Sequence, residues 1–303
     1  MINATTHMHE LPLPGLREDN PRDFLAALGL LRVIDVIWPE SDALLAWNLT
    51  CGIPIISTRC PLPESWGLEI WSRLIEWRDS PSKPFSHGKI EAITSEAFRE
   101  ILKSEAQTNP NLLWFYTSLC SQITHDKSGK RSEFIIESAS KSVLNGINGI
   151  LNQSRNIPNI MADFMGTSER QKVKNTSRWH PGEFQAAAYM AADPEDSAFM
   201  DHPSLNIFAL LGLSFFPVVD SARGRQTLGM VPESGQKIRF SWPIWGHPQS
   251  ATCLPSLLHH PSIHSEADEG AFLKARGVFR VWRSRRFKAN GDNLYFSKAE
   301  PVF

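Results

Sequence analysis

The chain of 303 residues is long enough for one large domain or two ordinary ones, and its 31 Lys and Arg nearly balance 32 Asp and Glu for a formal net charge of −1. That balance argues against a uniformly basic nucleic-acid protein and against an acidic tail protein. Hydrophobic residues at 42% beside charged residues at 21% exclude a disordered chain and predict a soluble globular one.

Residues 1–10 hold neither Lys nor Arg nor an apolar run, which is unlike a signal peptide. The most apolar stretch, 24–38, carries Arg32 and Asp35 and is too short to span a bilayer. Cys51, Cys60, Cys120 and Cys253 show no metal-ligand spacing, which predicts reduced, buried thiols in a cytoplasmic protein.

In chain order, 11–16 reads as an edge strand or extended lead-in. Asn20-Pro21-Arg22-Asp23 then opens a helix: Asn caps, Pro takes the first helical position and Asp23 sits in the first turn. Apolar on almost every face, this helix is expected to be buried and to stop at Trp38-Pro39. Segments 44–49 and 53–58 predict a short hairpin. Helices are expected after Pro63, over 94–106 and from Asn109-Pro110 onward, with loops at 80–89 and 125–132. A strand at 134–137, a glycine-interrupted helix at 140–153, a polar basic loop over 167–181 and a helix at 184–192 complete the first two thirds. After the apolar block 205–216, short strand-like runs dominate, and 277–287, Asn290-Gly291 and 294–297 predict a closing hairpin. The fold class is α+β: helix-rich in the first two thirds with a short N-terminal hairpin, and rich in strands and loops in the last third. A division into 1–200 and 201–303 is one reading, and a single domain is the other.

Catalytic motifs are absent: there is no Gly-x-Ser-x-Gly, no phosphate-binding loop and no His-Glu-x-x-His. Asp201, His202, His180 and Glu183 offer acid and base groups, although nothing in their spacing brings them together. His259, His260 and His264, with Glu266 and Asp268 nearby, form the tightest metal-like group, but Pro261 interrupts it and no cysteine completes a ligand set. The expectation is a solvated loop, with no metal and no cofactor.

The basic segments are more informative. Between residues 274 and 288 lie seven cations and no acid, so the rest of the chain carries −8. Arg280, Arg283, Arg285, Arg286 and Lys288 are candidate phosphate ligands, because guanidinium forks fit phosphate oxygens. Trp282 among them could stack on a base. The alternative is a cationic edge strand with Trp282 in the core. A second group before Trp179 contains Lys172, Lys174 and Arg178. A third, Arg223 and Arg225, could bind phosphate or read guanine in a groove.

Several stretches together resemble the large-subunit-like proteins of type I CRISPR effector (Cascade) complexes, subtype I-G (formerly I-U). They are the opening Asn20-Pro21-Arg22-Asp23-Phe24-Leu25-Ala26-Ala27-Leu28-Gly29-Leu30-Leu31-Arg32, then Trp179-His180-Pro181-Gly182-Glu183, then Leu205-Asn206-Ile207-Phe208-Ala209-Leu210-Leu211-Gly212-Leu213 with Phe216-Pro217-Val218. Thr227-Leu228-Gly229, Phe240-Ser241-Trp242-Pro243-Ile244-Trp245 and the arginine-rich run from Gly277 to Arg286 follow in order. The resemblance implies a non-catalytic subunit of an RNA-guided surveillance complex in antiviral defence. Its partners would be crRNA, target double-stranded DNA, and the backbone and crRNA-processing subunits, while a separate helicase-nuclease cuts. The chain is short for a large subunit, so a helical C-terminal bundle would be either missing or supplied by another chain. Two rivals stand beside this reading: an assembly scaffold using Trp242, Trp245 and Trp282, and a metal-dependent nuclease using the 259–264 region.

Overall fold

The elements follow in chain order as β1 (His9–Pro12), α1 (Pro21–Ile37), β2 (Leu44–Asn48), β3 (Ile53–Thr58), α2 (Trp66–Asp79), α3 (Ser95–Thr108), α4 (Leu113–Leu119) and α5 (Ile160–Met165). Then come β4 (Gln171–Val173), β5 (Phe199–Asp201), α6 (Pro203–Gly212), β6 (Val218–Ser221), β7 (Gly224–Thr227), β8 (Met230–Pro232), β9 (Ile238–Trp245) and β10 (Gln249–Ser250). The chain closes with α7 (Leu254–Leu258), α8 (Pro261–His264), α9 (Gly270–Lys274), β11 (Val278–Lys288), β12 (Leu294–Phe296) and β13 (Glu300–Pro301). This computed structural model describes residues 8–79, 95–108, 110, 113–119, 134, 159–173, 178–183, 199–221, 224–234, 237–267, 269–288 and 294–303.

Local rules set α1. The Asn20 side chain accepts from the Arg22 N–H at 3.0 Å, Pro21 occupies the first helical position, and the helix ends before Pro39. Every residue from Pro21 to Ile34 is buried, as a helix apolar on all faces demands. Its closest neighbour is α6, which shares the most extensive helix contact. The two backbones touch at paired glycines. A Cβ on Gly29 would lie 1.9 Å from the Phe208 carbonyl oxygen, and one on Gly212 would lie 2.0 Å from that of Leu25. Only residues without a side chain permit this approach.

Around this helix pair sit two antiparallel sheets, one in the order β1-β3-β2-β10 and one in the order β12-β11-β9-β8 with β13 also on β11. Phe24 projects from α1 between them, with ring centroids 6.0 Å from Trp47, 5.8 Å from Trp242 and 6.3 Å from Trp245. The indole N–H groups of Trp242 and Trp245 donate to the carbonyls of Glu18 (2.9 Å) and Leu45 (2.8 Å), so neither is left unpaired in the core. One apolar cluster runs from Leu13 to Ala299 and takes residues from both sides of position 200.

The fold is α+β, helix-rich early and strand-rich late, with β2–β3 as the N-terminal hairpin. Several local expectations need correction. Cys51, Cys60 and Cys253 are exposed, not buried, because each falls in a turn or bend flanking a strand or helix. The basic loop 167–181 contains β4, which pairs with β5 through a distant partner that local pattern does not reveal. The His-rich stretch is folded into α7 and α8, each opened by a proline in its first turn. The expected elements at 80–89, 125–132, 140–153 and 184–192, the turn at Asn290-Gly291, and all of 134–137 but Phe134 lie outside the described residues.

Candidate functional site

Strand alternation divides the cationic run. β9 and β11 pair antiparallel with Arg285 opposite Arg239, Arg283 opposite Ser241, Trp282 opposite Trp242 and Arg286 opposite Ile238. With a period of two, Arg283 and Arg285 share one face with Arg239 and Ser241, while Arg280, Trp282 and Arg286 share the core-side face with the β9 aromatics. Lys288 is exposed at the end of β11, opposite Leu294.

On the face away from the main core, which α8 and α9 partly cover, the three arginines form a compact group. Arg239, with a side chain only 5% exposed, donates through Nη1 to Glu266 (2.8 Å) and through Nη2 to the His264 carbonyl (2.9 Å). Arg283 donates to Ser241 Oγ (3.2 Å) and the Ser265 carbonyl (2.8 Å), and Arg285 donates to Glu233 (3.0 Å). Burial, followed by the charges of Arg239 and Arg285, pushes the Arg283 guanidinium below its ordinary value. Two of the carboxylates that balance the group, Glu266 and Glu300, are about four-fifths exposed (80% and 78%), so water weakens their hold. Arg239 was not singled out in the sequence. The available signal was the alternation Ile238-Arg239-Phe240-Ser241-Trp242, which sets Arg239 and Ser241 opposite the aromatics.

On the core side, Arg280 bonds Glu18 through Nη1, and its guanidinium lies 5.5 Å from the Trp282 ring. Trp282 is partly buried against the main core, whereas Trp242 and Trp245 are wholly buried. Of the three indoles considered for partner packing, only Trp282 thus reaches a surface. Arg178, in left-handed backbone (φ 56°), brings its guanidinium to 5.2 Å from the Tyr295 ring on β12. That places one member of the second basic group beside the C-terminal hairpin. Lys172 lies on β4 opposite Met200, and Arg225 on β7 opposite Asp220. Lys174 and Arg223 lie outside the described residues.

A second polar cluster is entirely internal. Arg22 is clasped between Asp23 (Nε to Oδ1, 2.8 Å) and Asp201, and Asn206 donates to the other Asp201 oxygen at 3.0 Å. Burial alone would raise the Asp201 carboxyl, but the charge and hydrogen bond of Arg22 hold it below the usual range. Burial, reinforced by Arg22, pushes His180 down to about 4, so its ring is neutral at pH 7. Its Nδ1 accepts from the Gly182 N–H at 3.0 Å. His180 and Asp201 therefore do come within electrostatic reach, through an arginine that the sequence presented only as part of a helix start.

Beside them, Asp163 accepts from Ser168 and Ser204. His202 Nδ1 lies 2.9 Å from Ser168 Oγ and 3.4 Å from Asp163 Oδ1. A Ser-His-Asp relay needs serine and carboxylate on opposite ring nitrogens. Here both meet the same one, so these residues tie the end of α5 to the start of α6 and do not assemble a nucleophile.

The three clustered histidines face separate backbone groups. His259 and His264 donate through Nε2 to the carbonyls of Phe215 (2.8 Å) and Leu258 (2.9 Å), and His260 Nδ1 accepts from Ser262 N–H. Burial pushes His264 down to about 4 and His259 in the same direction. Among the described residues no group of three His, Cys, Asp or Glu is placed to hold a metal ion, and no helix is long and apolar enough to cross a membrane. No protein-family model matches the chain, and no curated protein matches it.

Proposed function

We propose that this chain is a cytoplasmic, non-catalytic subunit of a type I CRISPR RNA-guided surveillance complex, contacting crRNA or target DNA beside other Cascade subunits. The observation that carries the reading is the face of β9 and β11 away from the main core, where Arg283 and Arg285 lie partly exposed beside the buried Arg239. A phosphate can meet the partly exposed forks of Arg283 and Arg285 and displace the exposed Glu300 at little cost, because exposed ion pairs hold weakly, while the more buried Glu233 keeps Arg285 in place. The segments that carry the resemblance also pack on one another: α1 crosses α6, Phe24 meets Trp242 and Trp245, and β9 pairs with β11. They form a shared core, as a common fold requires.

The charge distribution suits a subunit better than a free binding protein. An acidic body bearing −8 repels nucleic acid, while one cationic edge can be held against it by an assembly. The test replaces Arg283 and Arg285 by Ala in the assembled complex and measures target affinity across a salt series. Each lost phosphate contact should reduce the slope of log K against log salt by about 0.9. Unchanged affinity and slope would sink the assignment.

A further inference from the structure

The core-side face of β11 opens onto a groove of about 570 Å³, within the roughly 300–1,000 Å³ typical of ligand pockets. It is bounded by Pro14 and Leu16 to Asp19, by the β2–β3 turn with the exposed Cys51, and by Arg280 and Trp282. Three properties limit what it can hold. First, Trp282 lines the groove and is only partly buried, while its Nε1–H is enclosed and finds no partner among the described residues, unlike the indoles of Trp242 and Trp245. Second, Arg280 uses Nη1 on Glu18, and its other nitrogens find no acceptor among the described residues. Third, the charges cancel: Arg17 is paired in two-pronged fashion with Asp19 (both contacts 3.0 Å), and Arg280 with Glu18.

A phosphate has little to gain in a groove whose cations are already matched. A flat, neutral group carrying acceptors and a π face fits better, since it can meet the remaining Arg280 N–H groups and lie against an indole or guanidinium plane. We propose that this groove seats a single unpaired nucleobase. One strand would then serve two purposes, phosphate on the outer face and base on the inner. The assignment rests on the nucleic-acid reading above only for the origin of the base.

Cys51 provides a native reporter, because it is exposed and lines the groove, whereas the exposed Cys60 does not. Alkylation of the full chain by N-ethylmaleimide, followed by peptide mass spectrometry, gives a rate for each thiol. Millimolar adenosine or uridine should slow Cys51 by about threefold or more, by mass action, and leave Cys60 unchanged. Inorganic phosphate should have no effect. Trp282→Leu should abolish the protection; Trp282→Phe, which keeps a smaller aromatic face, should retain part of it and guards against simple misfolding. Equal protection by phosphate, no protection by any nucleoside, or full protection in both variants would overturn the proposal. Arg283→Ala with Arg285→Ala should leave Cys51 protection intact. If the salt slope fails to change while Cys51 is still protected, the subunit reading falls and the base site stands; the reverse result removes the base site alone.

Discussion

Two arginines on α1 are buried in opposite ways. Arg22, at the start of the helix, is held by Asp23 and Asp201 in a network that Asn206 completes. Arg32, near its end, has Nε and Nη1 buried without a hydrogen-bond partner among the described residues, where the one carboxylate paired with it, Asp35, is 3.8 Å away. What it does have is aromatic surface: its guanidinium lies 3.4 Å from the Trp114 ring centroid and 4.2 Å from that of Phe215. Burial consequently pushes Arg32 down to about 10, partly offset by Asp35. Counter-ions fix direction and tie distant elements together, whereas ring faces accept a cation with little demand on geometry. The first arrangement therefore specifies how α1 meets β5 and α6; the second is a local accommodation.

The sharpest way to break that contrast is Arg22→Ala, which strands Asp23 and Asp201 in the interior. A loss of about 3–5 kcal/mol is expected in denaturant unfolding. A loss below about 1 kcal/mol would mean that water reaches the site and that the network specifies nothing.

A smaller effect should follow pH at the same end of the helix. His180 titrates near 4 when folded against 6.5 ordinarily, so the unfolded chain takes up protons first as pH falls. Its contribution is complete above pH 6.5 and is lost as pH drops through about 4. At roughly 1.4 kcal/mol per pH unit, the loss is on the order of 3 to 3.5 kcal/mol. His264 titrates in the same window and His259 is pushed the same way, so His180→Gln should flatten the stability curve between pH 6.5 and 4 only in part, with His264→Gln removing a further share. An unaltered curve in the double variant would contradict the burial of both rings.

The smallest change is expected at the other end. Arg32→Met keeps volume and removes an unpaired charge, so stability should stay within about 1 kcal/mol of the parent, with any shift toward greater stability. A loss comparable to that of Arg22→Ala would show that the aromatic contacts orient α1 as firmly as the carboxylates do.

Much of the fold was legible because it follows local rules. Asn20, Pro21 and Pro39 mark both ends of α1, and the run 277–287, read as one arm of a closing hairpin, is a strand. The candidate site was legible only in part. The arginine run was visible, but its division between two faces, and its meeting with Arg239, depend on how β9 and β11 align. The short helices α7 and α8 were missed because loop-like composition hid two proline-opened turns.

Sequence alone determined the α+β class, the buried character of α1 and the concentration of seven cations in one acid-free segment of an otherwise acidic chain. Tertiary structure alone decided that Arg22 meets Asp201, that Gly29 faces Gly212, and that Arg283 and Arg285 join Arg239 while Arg280 turns to Glu18. The reason is one of range. Helix and strand periodicities repeat within a few residues and can be read from neighbours, whereas strand register and helix crossing are chosen by the packing of the whole core, and they select each charge's partner.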